Sequence, residues 1–364
     1  MPGLPQRHSL VGQTVAFLDK QIAAGQWREW LPAERTLCEM LQVSRSTLRR
    51  AMTELRRDGA IRTEHGAGHR ILSGRKKTSR RLPSHAVALL TPEPLERLRP
   101  TQTLWIDDLR AMLSERSCRL HVLHGRQYFR AKPGAALEKL VRQHPHGCWI
   151  LLRATPGCQQ WFARCGLPCL VAGTCHSGVD LPFRDLDHRA MCRHAVGTLL
   201  ALGHRRVAFI AQKDRLAGDL ESEAGFLEGM QRSRHPDATA SVCEHDATTA
   251  GIVQSLERLL ARKSPPTALL VANAYHALSV VSGLAALGRS VPRDVSVISR
   301  DEDPFLSFMV PEPARYEASP QEFARSLLQP VLELLAGRTV SQRAVRLMPQ
   351  FVRGASLAPG PFPR

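Results

Sequence analysis

Val43-Ser44-Arg45-Ser46-Thr47-Leu48-Arg49-Arg50-Ala51 decides how the first fifth of this chain folds. Ser44 is a helix-capping residue type, and behind it Leu48, Met52 and Leu55 recur at helical spacing, which predicts an amphipathic helix stopped by Asp58-Gly59. Only Gln42-Val43 separates it from an earlier helix. That helix starts near Pro32, a residue suited to a first helical turn, and presents Leu37, Met40 and Leu41 on one face. Two helices joined by so tight a turn suggest a helix-turn-helix. Working outward, Leu10, Val11, Thr14, Phe17, Leu18 and Ile22 predict a helix over residues 9 to 24 with Gly25 past its end. On the other side, Ala60 to Thr63 and His69 to Leu72 alternate as two short strands around Glu64-His65-Gly66-Ala67-Gly68, a hairpin that reads as a wing.

Arg45 and Arg49 fall on the face opposite the leucines, with Ser46, Thr47 and Arg50 alongside near the helix N-terminus. That end of a recognition helix meets base edges. Arginine pairs bidentately with guanine O6 and N7, worth about 1–3 kcal/mol of discrimination. Hydroxyls and free helix N–H groups suit phosphate oxygens. A solvated arginine-rich face is the ordinary alternative on a basic protein; the coincidence of turn, cap and arginine placement weighs against it.

The charge supports the same module. The chain has 364 residues, with 50 Lys+Arg against 33 Asp+Glu, a formal charge of +17. Residues 1 to 82 hold 16 basic and 7 acidic residues, and residues 83 to 364 hold 34 and 26, so the basic excess is concentrated at the N-terminal end. Length and an apolar content of 43% suit two or three domains with real cores. The run from Arg75 to Arg81, ahead of Pro83, is a connector open to two compatible uses, solvated linker or extra phosphate contact. Nine irregularly spaced cysteines do not form a secreted disulfide framework, and MPGLPQRHSL lacks signal-peptide character, so a cytoplasmic location is expected. Ser264 to Gly288 carries no charged side chain, yet its prolines, Asn273 and His276 favour a buried strand at 268–272 and a helix at 275–287 over a membrane span.

From Ala86 onward, short apolar runs alternate with helical stretches: 86–90, 119–123, 148–152, 168–172, 207–210, 268–272 and 295–298. This alternation predicts a doubly wound α/β domain with parallel strands and ligands at their carboxyl ends. Asp187 is placed to cap a helix that Gly203 ends.

Leu31-Pro32-Ala33-Glu34-Arg35, the Val43 to Ala51 stretch, Leu55 through Ile61, and Gly66 and Gly68 together resemble the GntR family of winged-helix repressors. The resemblance implies DNA contacts from Arg35, Arg45, Thr47 and Arg49 on the helices and from His65 and Gly66 on the wing. Ala33 stands where the family usually has Ser, and Ala67 and His69 depart from its usual wing residues. Ser44, Ser46 and Arg50 complete the DNA-facing set by position. Farther on, Gly166 to Val171, Asp187, Leu202 to Ile210, Ala224-Gly225-Phe226, Val291 to Ile298 and Phe351 to Ser356 resemble the LacI/GalR-type effector domain, itself similar to periplasmic sugar-binding proteins. The organisation expected is a winged helix-turn-helix over residues 8–74, a basic linker at 75–84, a two-lobed effector-binding and dimerisation domain at 85–357 and a tail at 358–364.

The ligand positions are less faithful. Ser222 stands where sugar-binding relatives place Arg, and Asn273-Ala274 where they have Asn-Asp. Asp301 is the candidate acceptor, and Trp105 and Tyr275 are candidates to stack on a ligand or simply to pack. The function implied is that of a non-enzymatic regulator, a homodimer on a near-palindromic DNA operator, switched by a small molecule such as a sugar derivative. Two alternatives stay open. One is a constitutive DNA-binding protein whose C-terminal domain only dimerises; the other is a GntR-type protein with a pyridoxal-phosphate enzyme-like domain. The second would need a cofactor lysine, and Lys132, Lys139, Lys213 and Lys263 lie in no recognisable motif. No cofactor is expected. Cys148, Cys158, Cys165, Cys169 and Cys175 with His176 read as buried hydrophobes rather than as a metal site.

Overall fold

A computed structural model describes residues 10–23, 26–27, 29–57, 60–64, 68–72 and 85–361. The chain divides into two compact units, residues 1–81 and 82–364. In the first, α1 (Leu10–Ala23), α2 (Glu34–Leu41) and α3 (Arg45–Arg57) pack around Leu18, Leu37, Leu48, Met52 and Leu55. Ser44 Oγ accepts from Thr47 N at 3.2 Å and so caps α3. Strands β1 (Ile61–Glu64) and β2 (Gly68–Ile71) pair antiparallel, with Ile61 opposite Ile71 and both buried.

Helix α2 starts at Glu34, two residues later than Pro32 suggests. Ile71 N donates to Glu29 O at 2.8 Å and Leu31 N donates to His69 O at 2.9 Å. These bonds tie residues 29–31 to the edge of the wing and keep Pro32 in extended chain. The predicted helix stops Gly25 and Asp58-Gly59, the wing tip with His65 and Gly66, and the linker at 75–84 lie outside the described residues.

The second unit holds two six-stranded sheets. In the first lobe, β3 (Ala86–Thr91), β4 (Arg119–His124), β5 (Cys148–Leu152), β6 (Cys169–Ala172), β7 (Phe183–Leu186) and β13 (Ala344–Leu347) lie in the order β13-β7-β6-β5-β3-β4, all parallel. The second lobe contains β8 (Arg206–Gln212), β9 (Thr239–His245), β10 (Ala268–Val271), β11 (Ser296–Ser299), β12 (Ala314–Glu317) and β14 (Gln350–Val352), in the order β14-β12-β11-β10-β8-β9. Only β14 runs antiparallel.

Both faces of each sheet are covered, which is why the central strands are apolar throughout. In the first lobe, Leu89 and Ile150 pack against α4 (Pro100–Ser114) and α11 (Pro320–Leu335), while Leu90 and Trp149 face α5 (Gly134–Gln143) and α6 (Pro156–Cys165). In the second, Phe209 and Leu270 face α7 (His188–Ala201) and α8 (Ala217–Gln231), and Ile210 and Leu269 face α9 (Thr249–Leu260) and α10 (Ala274–Ala286). Gly225 shows what the Ala-Gly-Phe landmark is for: a Cβ there would stand 2.2 Å from Arg189 O, so glycine lets α8 close on α7. Asp187 Oδ1 accepts from Ala190 N at 2.9 Å and caps α7 as expected.

All seven apolar runs are strands, with ends shifted by at most two residues. The other five strands of this unit had no such signature. Phe183–Leu186 and Ala314–Glu317 carry buried charges, Arg184 and Asp185 in one and Arg315 in the other, while β9, β13 and β14 are edge strands, the first largely polar and the other two only three or four residues long. Between β7 and α7, between β12 and α11, and between β13 and β14, the chain passes from one lobe to the other. The charge-free segment is strand β10 followed by helix α10. Gly288 at φ 70° follows that helix in the left-handed region. Among the described residues no helix is long and apolar enough to cross a membrane.

Candidate functional site

At the tip of α3, Arg45, Ser46, Arg49 and Arg50 are exposed, and Thr47 is half-buried. Ser44 Oγ lies 2.9 Å from Ser46 Oγ and 2.8 Å from Thr47 Oγ1, so three hydroxyls gather where α3 begins. Arg49 Nε is 3.1 Å from Glu34 Oε2, and His69 Nε2 is 3.5 Å from the other oxygen of Glu34. Burial acts to raise the Glu34 pKa, but bonds from Arg49 and His69 hold it below its ordinary value. Glu34 thus couples α2, α3 and β2. Arg35 pairs with Glu39 at 3.1 Å on an exposed surface, a weak contact that leaves it available to phosphate. Arg45 and Arg50 have no ion-pair partner among the described residues.

In the second unit a cleft of about 520 Å³ opens between the lobes. It is bounded by the carboxyl ends of β5, β6 and β7 on one side and of β8, β10 and β11 on the other, through residues such as Leu152, Ala172, Gln212, Ala272 and Arg300. This is where open parallel sheets bind ligands. The sequence candidates distribute unevenly around it. Trp105 is buried in the wall with its ring edge-on to Phe323 at 5.3 Å. Tyr275 is 45% exposed, lines the cleft and leans on Phe305 at 5.0 Å. Asn273 lines the wall and also caps α10, its Oδ1 accepting from Tyr275 N at 2.9 Å.

Two expectations need correction. Ser222 is fully buried behind the wall, where its hydroxyl donates to Gly218 O and accepts from Arg300 Nη1, each at 2.8 Å. Asp301 is no free acceptor: Arg300 Nε donates to one oxygen at 2.9 Å and Arg99 Nη1 to the other at 2.5 Å. Arg300, which directly follows β11, also donates to Asp219 Oδ1 at 2.8 Å. The guanidinium beside Ser222 on α8 is therefore that of Arg300, from the loop after β11. Burial opposes the Arg300 charge, and Asp301 and Asp219 more than offset it; burial likewise raises Asp301, and Arg300 and Arg99 hold it far below the usual carboxylate range. Because Arg99 precedes α4 and Asp301 follows β11, their ion pair bridges the lobes.

Arg99, Arg153, Asp185 and Arg300 belong to the wall but to no motif. Asp185 is satisfied by Thr174 Oγ1 at 2.6 Å, Leu186 N at 2.8 Å and His188 Nε2 at 3.3 Å. The cysteines are free thiols; Cys165, expected to be buried, is exposed at the end of α6, while burial raises the others of that cluster, Cys175 up to about 11 and Cys158 up to about 12, with Cys148 and Cys169 also raised. Among the described residues no three His, Cys, Asp or Glu side chains group as a metal site would need.

Next to the cleft, His245 and His276 meet edge to face at 4.5 Å. Ala247 N donates to His245 Nδ1 at 3.0 Å, which assigns the proton of the neutral ring to Nε2. Burial, then the neighbouring His276, push the His245 pKa down to about 4 against a weaker pull from Asp246. The unfolded chain takes up a proton below about 6.5 that the folded ring refuses down to about 4. Stability is then fullest above pH 6.5 and falls by about 3 kcal/mol as pH drops through that window. A melting series from pH 7.5 to 4.5 checks this. His245→Asn keeps an acceptor near Ala247 N but does not titrate, so it flattens the profile; an unchanged profile refutes the assignment.

Together these features define a two-module protein, a winged helix-turn-helix and a two-lobed α/β domain with an interlobe cleft. More particularly, residues 10–84 match the family model of the bacterial regulatory proteins, gntR family, and residues 196–357 match that of the periplasmic binding protein-like domain. The chain is 26% identical over 204 residues to the HTH-type transcriptional regulator reg1 of Streptomyces lividans, covering 55% of this chain and 59% of that one. With the arabinose metabolism transcriptional repressor of Geobacillus stearothermophilus it shares 24% identity, over 79% and 80% of the two chains. The chain thus spans less than two thirds of reg1 and of MalR from Streptomyces coelicolor, for which the share is 58%. Among solved structures it is similar to a LacI transcriptional regulator from Bacillus cereus subsp. cytotoxis (TM-score 0.66, 17% identity, 76% of this chain and 99% of that one). It is also similar to a complex of the transcriptional regulator CelR with cellobiose (TM-score 0.65, 20% identity, 90% and 100%). These likenesses show the fold.

Proposed function

We propose that this chain is a cytoplasmic, sequence-specific DNA-binding transcription regulator, a repressor, whose operator affinity is set by a small molecule held between the two lobes. The observation that carries this reading is the interlobe cleft at the carboxyl ends of both sheets, in a chain whose other unit presents Arg45 unpaired at the tip of a capped recognition helix. A homodimer would bring two such helices to the halves of a near-palindromic site. Phe308 and Val310, 85% and 95% exposed on the second lobe, are large apolar groups that a second copy would cover. The sugar class is supported by a relative named for arabinose metabolism and by the cellobiose complex. In this mechanism the ligand favours one lobe arrangement, and only that difference in affinity transmits to DNA.

Selection of bound DNA from a random pool, with and without monosaccharides and sugar acids, tests the proposal. A two-fold-related site whose affinity changes about 5- to 150-fold with one ligand is the expected result. A second reading has its own support: the Arg99–Asp301 pair already ties the lobes together through protein groups alone, as a constitutive regulator with a purely dimerising domain would allow. A symmetric site bound equally under every ligand favours that reading, and absence of any sequence preference removes both.

A further inference from the structure

The cleft holds one more positive charge than it uses. Four arginines and three aspartates line it, with no lysine or glutamate. Each aspartate is committed: Asp301 to Arg99 and Arg300, Asp219 to Arg300 and the Leu216 amide, Asp185 to Thr174, His188 and the Leu186 amide. Arg97, at the rim, pairs with Glu93 at 3.8 Å. Arg153 has no hydrogen bond or ion pair among the described residues.

Its placement is specific. Arg153 directly follows β5, at the carboxyl end of a central strand, and its backbone sits at φ 53°, a region that arginine rarely occupies. Such conformations persist where the surrounding fold imposes them, and they gather at ligand sites. The surrounding protein and then Arg99 both disfavour the Arg153 cation, with Asp219 and Glu93 too distant to form ion pairs with it. Arginine does not lose its proton in a protein. Arg153 is exposed and lines the cleft without a counter-charge of its own, so its planar fork is open to a carboxylate or a phosphate.

We propose that the effector is anionic, a small polyhydroxylated molecule bearing a carboxylate or phosphate, and that Arg153 binds that group while Tyr275 packs on the carbon skeleton. This rests on the ligand-cleft reading given above and narrows its chemistry. It also gives a use to part of the basic excess of residues 83–364, where 34 Lys+Arg face 26 Asp+Glu.

The test is calorimetric titration of the full-length protein with matched triplets: neutral aldoses, the corresponding uronates, and the corresponding sugar phosphates. The variant is Arg153→Asn, because Asn tolerates the left-handed backbone and carries no charge. The expected result is binding of an anionic member in preference to its neutral counterpart, with the variant weakening that member about 10- to 100-fold and leaving the melting temperature intact. The uronate and phosphate arms separate the two sources of charge. Binding of a neutral aldose as tightly as its anions, unaffected by Arg153→Asn, overturns the anionic assignment and leaves the ligand cleft standing. Silence of all three arms at millimolar concentration overturns both.

Discussion

Replacing Arg300 by methionine lowers the stability of the C-terminal unit by about 3–5 kcal/mol. The side chain is only 7% exposed and its guanidinium supplies hydrogen bonds to Asp301, Asp219 and Ser222. Methionine fills much of the volume but leaves two largely buried carboxylates, Asp301 at 7% and Asp219 at 18% exposure, short of a partner. The penalty for an uncompensated buried charge exceeds that for an exposed pair several-fold. For a domain of this size the loss appears as a melting temperature lower by about 10 °C. Because the cost lies in the stranded carboxylates, Arg300→Met combined with Asp301→Leu should recover part of it, which a double-mutant cycle measures directly. A single-mutant loss under about 1 kcal/mol would mean that water already solvates the cluster. The effect on DNA is indirect: Asp301, freed of Arg300, still holds Arg99, so the interlobe tie survives while its support weakens.

What made this fold readable was local consistency. Capping by Ser44 and Asp187, the glycines after α7 and α10, and the wholly apolar strands each point to the element that forms. Strands fail to show when their purpose is electrostatic. Asp185 and Arg184 sit buried in β7 because one is bonded to Thr174 and His188 and the other to backbone carbonyls, and nothing in a linear pattern announces such partners. The cleft divides in the same way. Asn273 and Tyr275 are legible because a strand end and a helix cap fix their neighbourhood. Arg99, Arg153 and Arg300 come from three different strand or helix boundaries, far apart in the chain, and are brought to one wall only by the sheet order. Ser222 misled for the opposite reason: its position relative to a landmark on α8 was preserved, while the guanidinium at that place comes from Arg300 after β11.

On a selected operator, Arg45→Ala weakens binding by about 1–3 kcal/mol per half-site and relaxes preference at one base pair in each half, as loss of a bidentate base contact requires. Arg50→Ala, at a position suited to phosphate, weakens all sequences alike and lowers the salt slope by about one. Arg49 differs from both because it already has a partner. Its Nε is 3.1 Å from Glu34, so Arg49→Ala removes a cation and also leaves the Glu34 carboxylate at the DNA-facing end with only His69 beside it. The loss should therefore exceed that of Arg45→Ala, and Glu34→Gln in the Arg49→Ala background should restore part of it by removing the repulsion. Glu34→Gln alone frees Arg49 from its anchor, trading a fixed orientation for a less neutralised cation, so non-specific affinity rises while discrimination between operator and random DNA falls. Electrophoretic mobility shifts at two salt concentrations, with circular dichroism to show that each variant is folded, separate these outcomes. Equal affinities for wild type and Arg49→Ala at fixed salt would remove α3 from the DNA interface, because no surface pair is strong enough to mask a lost phosphate or base contact in a site that is used twice per dimer.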